Sequence, residues 1–96
     1  MNVDRNDAET WATWFKALGD PRRIVILNLL ATAGGPLSVA EIVDAVDVGQ
    51  STVSHHLKSL VDAGILTREQ RGKWAYYRLV PGALDALAAL IASPAD

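Results

Sequence analysis

Helix-breaking residues divide this sequence at short intervals, and the division limits the folds open to the chain. Glycine or proline interrupts it at Gly19, Gly34, Gly49, Gly64 and Pro81. Between these breaks there is room for short helices or strands and for nothing longer. With 96 residues in all, the chain has the size of one small domain. We therefore expect several short elements packed around a single core.

Apolar residues repeat at helical spacing in several of these segments. In the first, Trp11, Trp14 and Phe15 share one face. Ser38 and Glu41 match a capping box that opens the third helix. The second helix is apolar nearly all round and is expected to be central, with a buried face made of Ile24, Leu27, Leu30 and Ala31. The predicted helices cover residues 8–18, 21–33, 38–46, 50–63 and 83–92.

A β-hairpin is predicted before the last helix. Tyr77 and Leu79 alternate with polar and aromatic residues, which predicts strands at 65–69 and 74–80 and a turn at 70–73. Leu37 is placed to add a one-residue bridge. The fold class is therefore mainly α with a small hairpin, in the order helix, helix, bridge, helix, helix, strand, strand, helix. Residues 8–92 form the single domain, and residues 1–7 and 93–96 are expected to be flexible ends.

The third and fourth helices are separated by a turn of only three residues, Asp47 to Gly49. This spacing is typical of a helix-turn-helix, and the hairpin that follows makes it a winged helix-turn-helix. An apolar stripe on the fourth helix comprises Val53, Leu57, Leu60 and Val61. The remaining outward face comprises Gln50, Ser51, Ser54, His55, Lys58 and Asp62. Its first two turns hold uncharged polar groups and one histidine, which suit the base edges of a DNA major groove.

The charge of the chain is unevenly distributed. The overall charge is −2, which at first argues against a nucleic-acid partner. Residues 48–80 contain five basic and two acidic side chains, a balance of +3, whereas the rest contains four basic and nine acidic residues, a balance of −5. A locally positive surface can attract phosphate on an acidic protein. The alternative is that charges are scattered over a small domain without a role in binding.

Composition excludes several classes of site. The 96 residues contain no cysteine, which excludes disulfides, thiolate metal sites and cysteine nucleophiles within them. The polar, acidic start does not match a secretory signal. Asn28 and Asp85 interrupt the longest apolar runs before they reach the roughly 18 residues of a membrane span. We therefore expect a cytoplasmic protein without a membrane partner.

Three stretches of the sequence carry the most specific signal: Phe15–Arg23, Ser51–Leu66 and Gly72–Leu79. Together they resemble the ArsR/SmtB family of bacterial winged-helix repressors. The resemblance implies a homodimer formed mainly through the first and last helices, an inverted-repeat operator and, often, release by a metal ion. An aromatic cluster in the first helix is consistent with such an interface, although it can also line a ligand pocket. The candidate interface residues are Trp11, Trp14, Phe15, Leu84, Leu87, Leu90 and Ile91.

The start of the fourth helix is the predicted site of base recognition. Ser51, Ser54 and His55 match the base-reading region of the family's recognition helix. Gln50 and Thr52 lie at the helix entrance, where side chains and free N–H groups meet phosphate. Thr52 can equally bond to its own backbone.

Basic residues around this helix are predicted to contact the DNA backbone. Lys58 lies one turn beyond Ser54 and either contacts phosphate or is simply solvated. Arg71 and Lys73 flank Gly72 at the hairpin tip and are expected to reach the backbone or the minor groove. The alternative is a charged tip that discourages edge pairing.

Two other polar residues are interpreted as structural. His56 lies at the border of the apolar stripe, where side chains usually pack. Arg23 lies in a helix expected to be central, and a buried ion pair is its predicted role. Arg22 is expected at the surface.

The family's metal ligands are missing from their usual places in this sequence. These are cysteines in the third helix, or Asp and His residues in the last helix, where Asp85 is the sole ionisable residue. The adjacent His55 and His56 point about 100° apart on a helix and cannot chelate one ion well. No cofactor or metal site is therefore predicted. The alternatives left open are a small-molecule or protein effector, control by abundance alone, and a hard or borderline metal ion held by Asp4, Asp7 and Glu9.

The sequence favours a dimeric, sequence-specific DNA-binding transcriptional regulator, and more specifically a repressor. A winged-helix module that binds only proteins is the alternative, and it predicts no salt-sensitive DNA binding. An enzyme is not predicted. Ser51 and His55 lie four residues apart, but no third group orients the histidine and no oxyanion loop is evident. The operator and the effector stay open.

Overall fold

The computed structural model describes residues 5–92, in the element order predicted from the sequence. Residues 1–4 and 93–96, which include most of the predicted flexible ends, lie outside the described residues. The elements are α1 (Arg5–Ala17), α2 (Pro21–Ala33), β1 (Leu37–Ser38), α3 (Val39–Val46), α4 (Gln50–Asp62), β2 (Leu66–Arg71), β3 (Trp74–Leu79) and α5 (Ala83–Ile91). None of the helices in the described part is long and apolar enough to cross a membrane.

Local capping interactions fix the starts of α2 and α3. The Asp20 carboxylate accepts a hydrogen bond of 2.8 Å from the Arg22 backbone N–H, and Pro21 occupies the first helical position. The Ser38 hydroxyl accepts from the Glu41 N–H at 3.2 Å, while the Glu41 carboxylate accepts from the Ser38 N–H at 3.0 Å. The predicted capping box is thus confirmed, and it sets the angle at which α3 leaves β1.

The sheet has three antiparallel strands in the order β1-β3-β2. Leu37 pairs with Tyr77, and Leu66 pairs with Leu79. The predicted one-residue bridge at Leu37 is therefore a two-residue strand. We call the β2–β3 hairpin, residues 66–79, the wing.

Two predicted boundaries are wrong by more than one residue. Helix α1 begins at Arg5 rather than at residue 8, because a polar first turn needs no burial and Asp7 is favourable near the free N–H groups of that turn. Strand β2 extends to Arg71, which pairs with Trp74, so the turn at the wing tip consists of Gly72 and Lys73 alone. Gly72 has a φ of +60°, the left-handed conformation that a two-residue hairpin turn requires.

The core lies between α2, α3, α4 and the wing. Its buried apolar side chains are Ala17, Ile26, Leu27, Leu30, Ile42, Val53, Leu57, Leu60, Ile65, Leu66 and Tyr77. The α5 helix contributes no side chain to this cluster within the described residues. It therefore packs at the margin of the protomer.

Helix α2 is less central than predicted. Ile24 is 48% exposed and Val25 is 53% exposed, and Ala31 is also exposed. Only Ile26, Leu27 and Leu30 are buried. Although α3, α4 and the wing pack on α2, they leave Ile24, Val25 and Ala31 exposed within the protomer.

Candidate nucleic-acid interface

The turn between α3 and α4 is tight, and it leaves the start of α4 open. Asp47 ends α3 with a φ of +53°, and Gly49 precedes α4 in an extended conformation. The Gly49 carbonyl accepts the Val53 N–H at 3.0 Å. Because glycine has no side chain with which to cap the helix, the N–H groups of the first turn can meet an external acceptor such as phosphate.

The predicted outward face of α4 lies at the surface. Gln50, Ser51 and His55 are exposed, and Thr52 and Ser54 are half-buried. These side chains carry hydroxyl, amide and imidazole groups along one helix. We call Gln50, Ser51, Ser54, His55 and Lys58 the outer face of α4.

Lys58 forms an ion pair that the sequence analysis did not anticipate. Its Nζ lies 2.9 Å from an Asp62 carboxylate oxygen, one turn along α4. The hydrogen bond raises the pKa of Lys58 above its ordinary value. Both side chains are largely exposed, so the pair is weak and a phosphate group can compete for the lysine.

The opposite face of α4 anchors the helix. Val53, Leu57 and Leu60 have no exposed surface, and they pack into the core cluster. His56 is buried beside them with 5% exposure, which confirms its interpretation as structural. Burial lowers the pKa of His56, and the nearby Asp20 carboxylate opposes that shift in part.

Arg23 does not form the predicted ion pair. Its Nε donates to His56 Nδ1 at 2.9 Å, and its terminal nitrogens donate to the Ala17 carbonyl at 3.2 Å and to Ser59 Oγ at 3.3 Å. All three acceptors are neutral. The carboxylate nearest in sequence, that of Asp20, is engaged as the cap of α2.

The wing tip carries positive charge on a braced hairpin. Arg71 lies 3.0 Å from Glu69 and its guanidinium lies 5.0 Å from the centre of the Tyr76 ring. The hydrogen bond from Arg71 lowers the pKa of Glu69. Lys73 is exposed in the turn. Arg71 is therefore held along the strand, and only Lys73 belongs to the tip itself.

Sequence reasoning missed two residues of this surface. Trp74 was given no role from the sequence, yet it is 58% exposed beside the tip. With Gln50 and Lys73, it lines a groove of about 270 Å³ between the wing and the starts of α3 and α4. Arg68, also exposed, donates to Gln70 at 2.7 Å. A large aromatic next to a hairpin turn was the available signal for Trp74.

Comparison with known families identifies the chain. The model of the family "Bacterial regulatory protein, arsR family" matches residues 20–68, from the cap of α2 into the wing. The chain belongs to the ArsR family. This finding confirms the resemblance inferred from the sequence, and with it the class of protein, a DNA-binding transcriptional regulator.

Similar proteins come from several organisms. The HTH-type transcriptional regulator MJ1325 of Methanocaldococcus jannaschii is 44% identical over 72 residues, which cover 75% of this chain and 80% of that protein. The arsenical resistance operon repressor of Bacillus subtilis is 42% identical over 65 residues, 68% of this chain. The match covers only 61% of that repressor.

The fold is also shared with the solved structure of a possible ArsR-family transcriptional regulator. The winged helix-turn-helix DNA-binding domain Mb0332 of Mycobacterium bovis, homodimeric in solution, is 32% identical to this chain with a TM-score of 0.76. The superposition covers 96% of this chain and 85% of that one. The winged helix-turn-helix fold predicted from the sequence is therefore confirmed.

The predicted interface residues of this ArsR-family chain lie on α1 and α5. Phe15, Leu84 and Ile91 are exposed, the last by 65%. Trp11 and Trp14 are half-buried, with their rings edge to face at 5.1 Å between centroids. Leu87 and Leu90 are half-buried. Both helices thus present apolar surface outward, while pairing of two chains stays a prediction.

The described part of the chain offers few side chains that could hold a metal effector. No group of three or more His, Cys, Asp or Glu side chains lies close enough there to hold a metal ion. Asp4, one member of the acidic site considered from the sequence, lies outside the described residues. That alternative stays a prediction.

Proposed function

We propose that this ArsR-family chain acts as a homodimeric repressor that binds an inverted-repeat operator. The observation that carries the proposal is the surface formed by the outer face of α4 and the wing tip. Uncharged donors and acceptors occupy the exposed start of α4, and the basic residues of the wing stand on one side of it. This arrangement suits a helix in the major groove and a hairpin on the backbone or minor groove.

Each residue of this surface has a role in the proposal. Ser51, Ser54 and His55 contact base edges, and Gln50 and Thr52 contact phosphate at the helix start. Lys58 leaves its ion pair with Asp62 to meet phosphate. Arg71 and Lys73 neutralise backbone charge, which makes binding steeply salt-dependent.

Dimerisation places two such surfaces side by side. The apolar residues of α1 and α5 have partial cover at best within one protomer, and a second copy of the chain would bury them. The Mycobacterium bovis domain is a homodimer. Two recognition helices then enter successive major grooves about 34 Å apart, which requires a twofold-symmetric DNA site.

The residue types present in the chain narrow the chemical class of the effector. Several relatives are named for arsenical resistance, but these 96 residues supply no cysteine, the ligand that soft ions prefer. We infer an effector that binds without thiolates from these residues: a small molecule, a protein, or a hard ion on oxygen ligands. No catalytic role is proposed. As a transcriptional regulator the protein would act in the cytoplasm.

Selection of duplexes from a random-sequence DNA pool by the purified protein tests this function. We expect enrichment of inverted repeats whose half-sites are about one helical turn apart, bound by two chains per duplex. A Thr32→Ala variant, which removes an exposed hydroxyl bonded to the Asn28 carbonyl of α2, should select the same sites. Enrichment of no sequence would reject the proposal and favour a protein-binding module. Enrichment of sites bound by one chain would reject the homodimeric binding mode.

A further inference from the structure

A partly buried polar cluster lies between α1, α2 and α4. Arg23, on α2, donates three hydrogen bonds: to His56 Nδ1 and Ser59 Oγ on α4, and to the Ala17 carbonyl at the end of α1. Ala17 and His56 are buried and Arg23 is half-buried. One guanidinium therefore joins three helices, and two of its three bonds hold α4.

The bond to His56 requires one protonation state. An arginine guanidinium has five donor hydrogens and no acceptor, so His56 Nδ1 must accept with its lone pair. The imidazole is then neutral and carries its proton on Nε2. A second proton would place an N–H on Nδ1, 2.9 Å from the Arg23 N–H. Two donors and two positive charges would then face each other in a partly buried site.

We propose that Arg23 and His56 are positioning residues for DNA recognition, and that protonation of His56 releases the operator. This inference rests on the proposed function, since it concerns regulation of the same surface. The cation formed at His56 displaces the guanidinium. Because Arg23 also holds Ser59 and Ala17, the hydrogen bonds that fix α4 on α1 and α2 break together.

The space and charges around the cluster support this displacement. A cavity of about 350 Å³ opens beside Arg23, between α1 and α4, and gives the guanidinium room to move. Asp62 on its wall is paired with Lys58 through Oδ2 and offers its second carboxylate oxygen as an acceptor, and Lys16 lines the cavity from α1. The groups acting on His56 itself are Asp20 and the cations Arg22 and Arg23 from the α2 side, and the adjacent His55 on α4.

The direction of the pH dependence follows from this environment. Burial and the two arginines lower the pKa of His56 below its ordinary value, and Asp20 opposes them in part. At a pH above the ordinary histidine pKa of 6.5, His56 is therefore neutral and hydrogen-bonded to Arg23. This state is lost as the pH falls through the lowered pKa of His56. Acid, not base, is expected to release DNA.

The direction of the pH effect separates two explanations. Added protons make the whole protein more positive and by themselves strengthen binding to phosphate. A simple charge effect predicts tighter binding in acid, whereas displacement of Arg23 predicts weaker binding.

The test measures operator affinity by fluorescence anisotropy from about pH 7.5 to about pH 5 at constant ionic strength. For the wild-type protein we expect the dissociation constant to rise, by about tenfold per protomer for each pH unit below the pKa of His56. In His56→Asn the amide oxygen replaces Nδ1 as acceptor and does not titrate, so the acid-induced weakening should disappear. Thr32→Ala, an exposed position on α2 outside this cluster, is the control and should keep both the affinity and the weakening.

A second measurement keeps the test decisive if His56→Asn does not fold. The histidine ring signals and the Arg23 side-chain N–H are followed by NMR in the wild-type protein without DNA. The Arg23 signal and the α4 amides should shift with the titration of His56. Three results would each overturn the inference. They are an affinity for the operator that does not change with pH, a weakening in acid that persists in His56→Asn, and an Arg23 N–H signal that does not shift as His56 titrates. If the protein binds no duplex even at about pH 7.5, the proposed function is rejected. The NMR titration would then test only the Arg23–His56 hydrogen bond in the free protein.

Discussion

The inner and outer faces of α4 are interleaved along one helix, yet they differ in burial and in their contacts with the core. On the inner face, Val53, Leu57 and Leu60 have no exposed surface. On the outer face, Ser51 and His55 are exposed and belong to no part of the core. Because a helix advances about 100° per residue, both faces are built from the same thirteen positions.

This contrast separates two kinds of information in one helix. The inner face determines where α4 lies, since each of its residues fills a closed space in the core. The outer face determines what α4 can bind, and it can change without disturbing the packing beneath it. His55 and His56, adjacent in sequence, show the same division: the first faces solvent and the second accepts a buried hydrogen bond.

The largest effect is expected from Leu57→Ala on the inner face. Truncating a fully buried leucine removes its packing and leaves a cavity, which lowers the free energy of unfolding by about 2–5 kcal/mol. The measurement is urea denaturation followed by circular dichroism. Lys58→Ala, the next residue and an exposed one, should change it by less than about 0.5 kcal/mol. Equal destabilisation by both variants would mean that the two faces are not distinct.

Substitution on the outer face should have the reverse pattern. Ser51→Ala and His55→Ala remove exposed groups, so the free energy of unfolding should change by no more than about 0.5 kcal/mol. The preference for operator over scrambled duplex should fall by about 1–3 kcal/mol for each base that is no longer recognised. Gel shifts on the two duplexes measure that difference. A parallel weakening on both duplexes would show that these residues contact only the backbone.

The wing should behave differently from the outer face. Arg71→Ala removes a charge that binds phosphate without reading sequence, so operator and scrambled duplex should weaken alike. The slope of log affinity against log salt should decrease in magnitude by about one per protomer. Arg78→Ala, an exposed arginine at the base of the hairpin, is the control and should leave the slope unchanged. Selective weakening on the operator would assign Arg71 to base recognition.

The features predicted correctly from the sequence are those encoded by neighbouring residues. The capping box joins Ser38 and Glu41, three residues apart, and the inner stripe of α4 repeats every three or four residues. Caps and stripes of this kind depend on helix geometry alone. The outer face of α4 could then be predicted directly, because it consists of the residues that the apolar stripe leaves exposed.

The features predicted wrongly depend on distant contacts. Arg23 bonds to His56 across 33 positions, and no local pattern indicates that a neutral histidine would be its partner rather than an acid. Ile24 is apolar at helical spacing, yet the elements that pack on α2 leave it exposed. In both cases tertiary packing decided the outcome. The wrong end of β2 is a local error instead, because Arg71 pairs with Trp74 only three positions away.

The smallest effect is expected from breaking the ion pair between Lys58 and Asp62 on α4. Asp62→Asn removes a pair between exposed side chains, so the free energy of unfolding should fall by about 0.5 kcal/mol or less. The released lysine should bind phosphate more readily, and affinity for operator and scrambled duplex should rise slightly and equally at low salt. Unfolding curves and anisotropy titrations at two salt concentrations measure both quantities.

Asp44→Asn, an exposed aspartate on α3, removes the same negative charge without freeing a lysine. If it raises DNA affinity as much as Asp62→Asn does, net charge alone explains the gain. If only Asp62→Asn does so, and the gain disappears in a Lys58→Ala background, the carboxylate restrains Lys58 in the free protein. The outer face would then be partly self-neutralised until DNA displaces Asp62, so a chain with a net charge of −2 would expose its full positive charge only when bound.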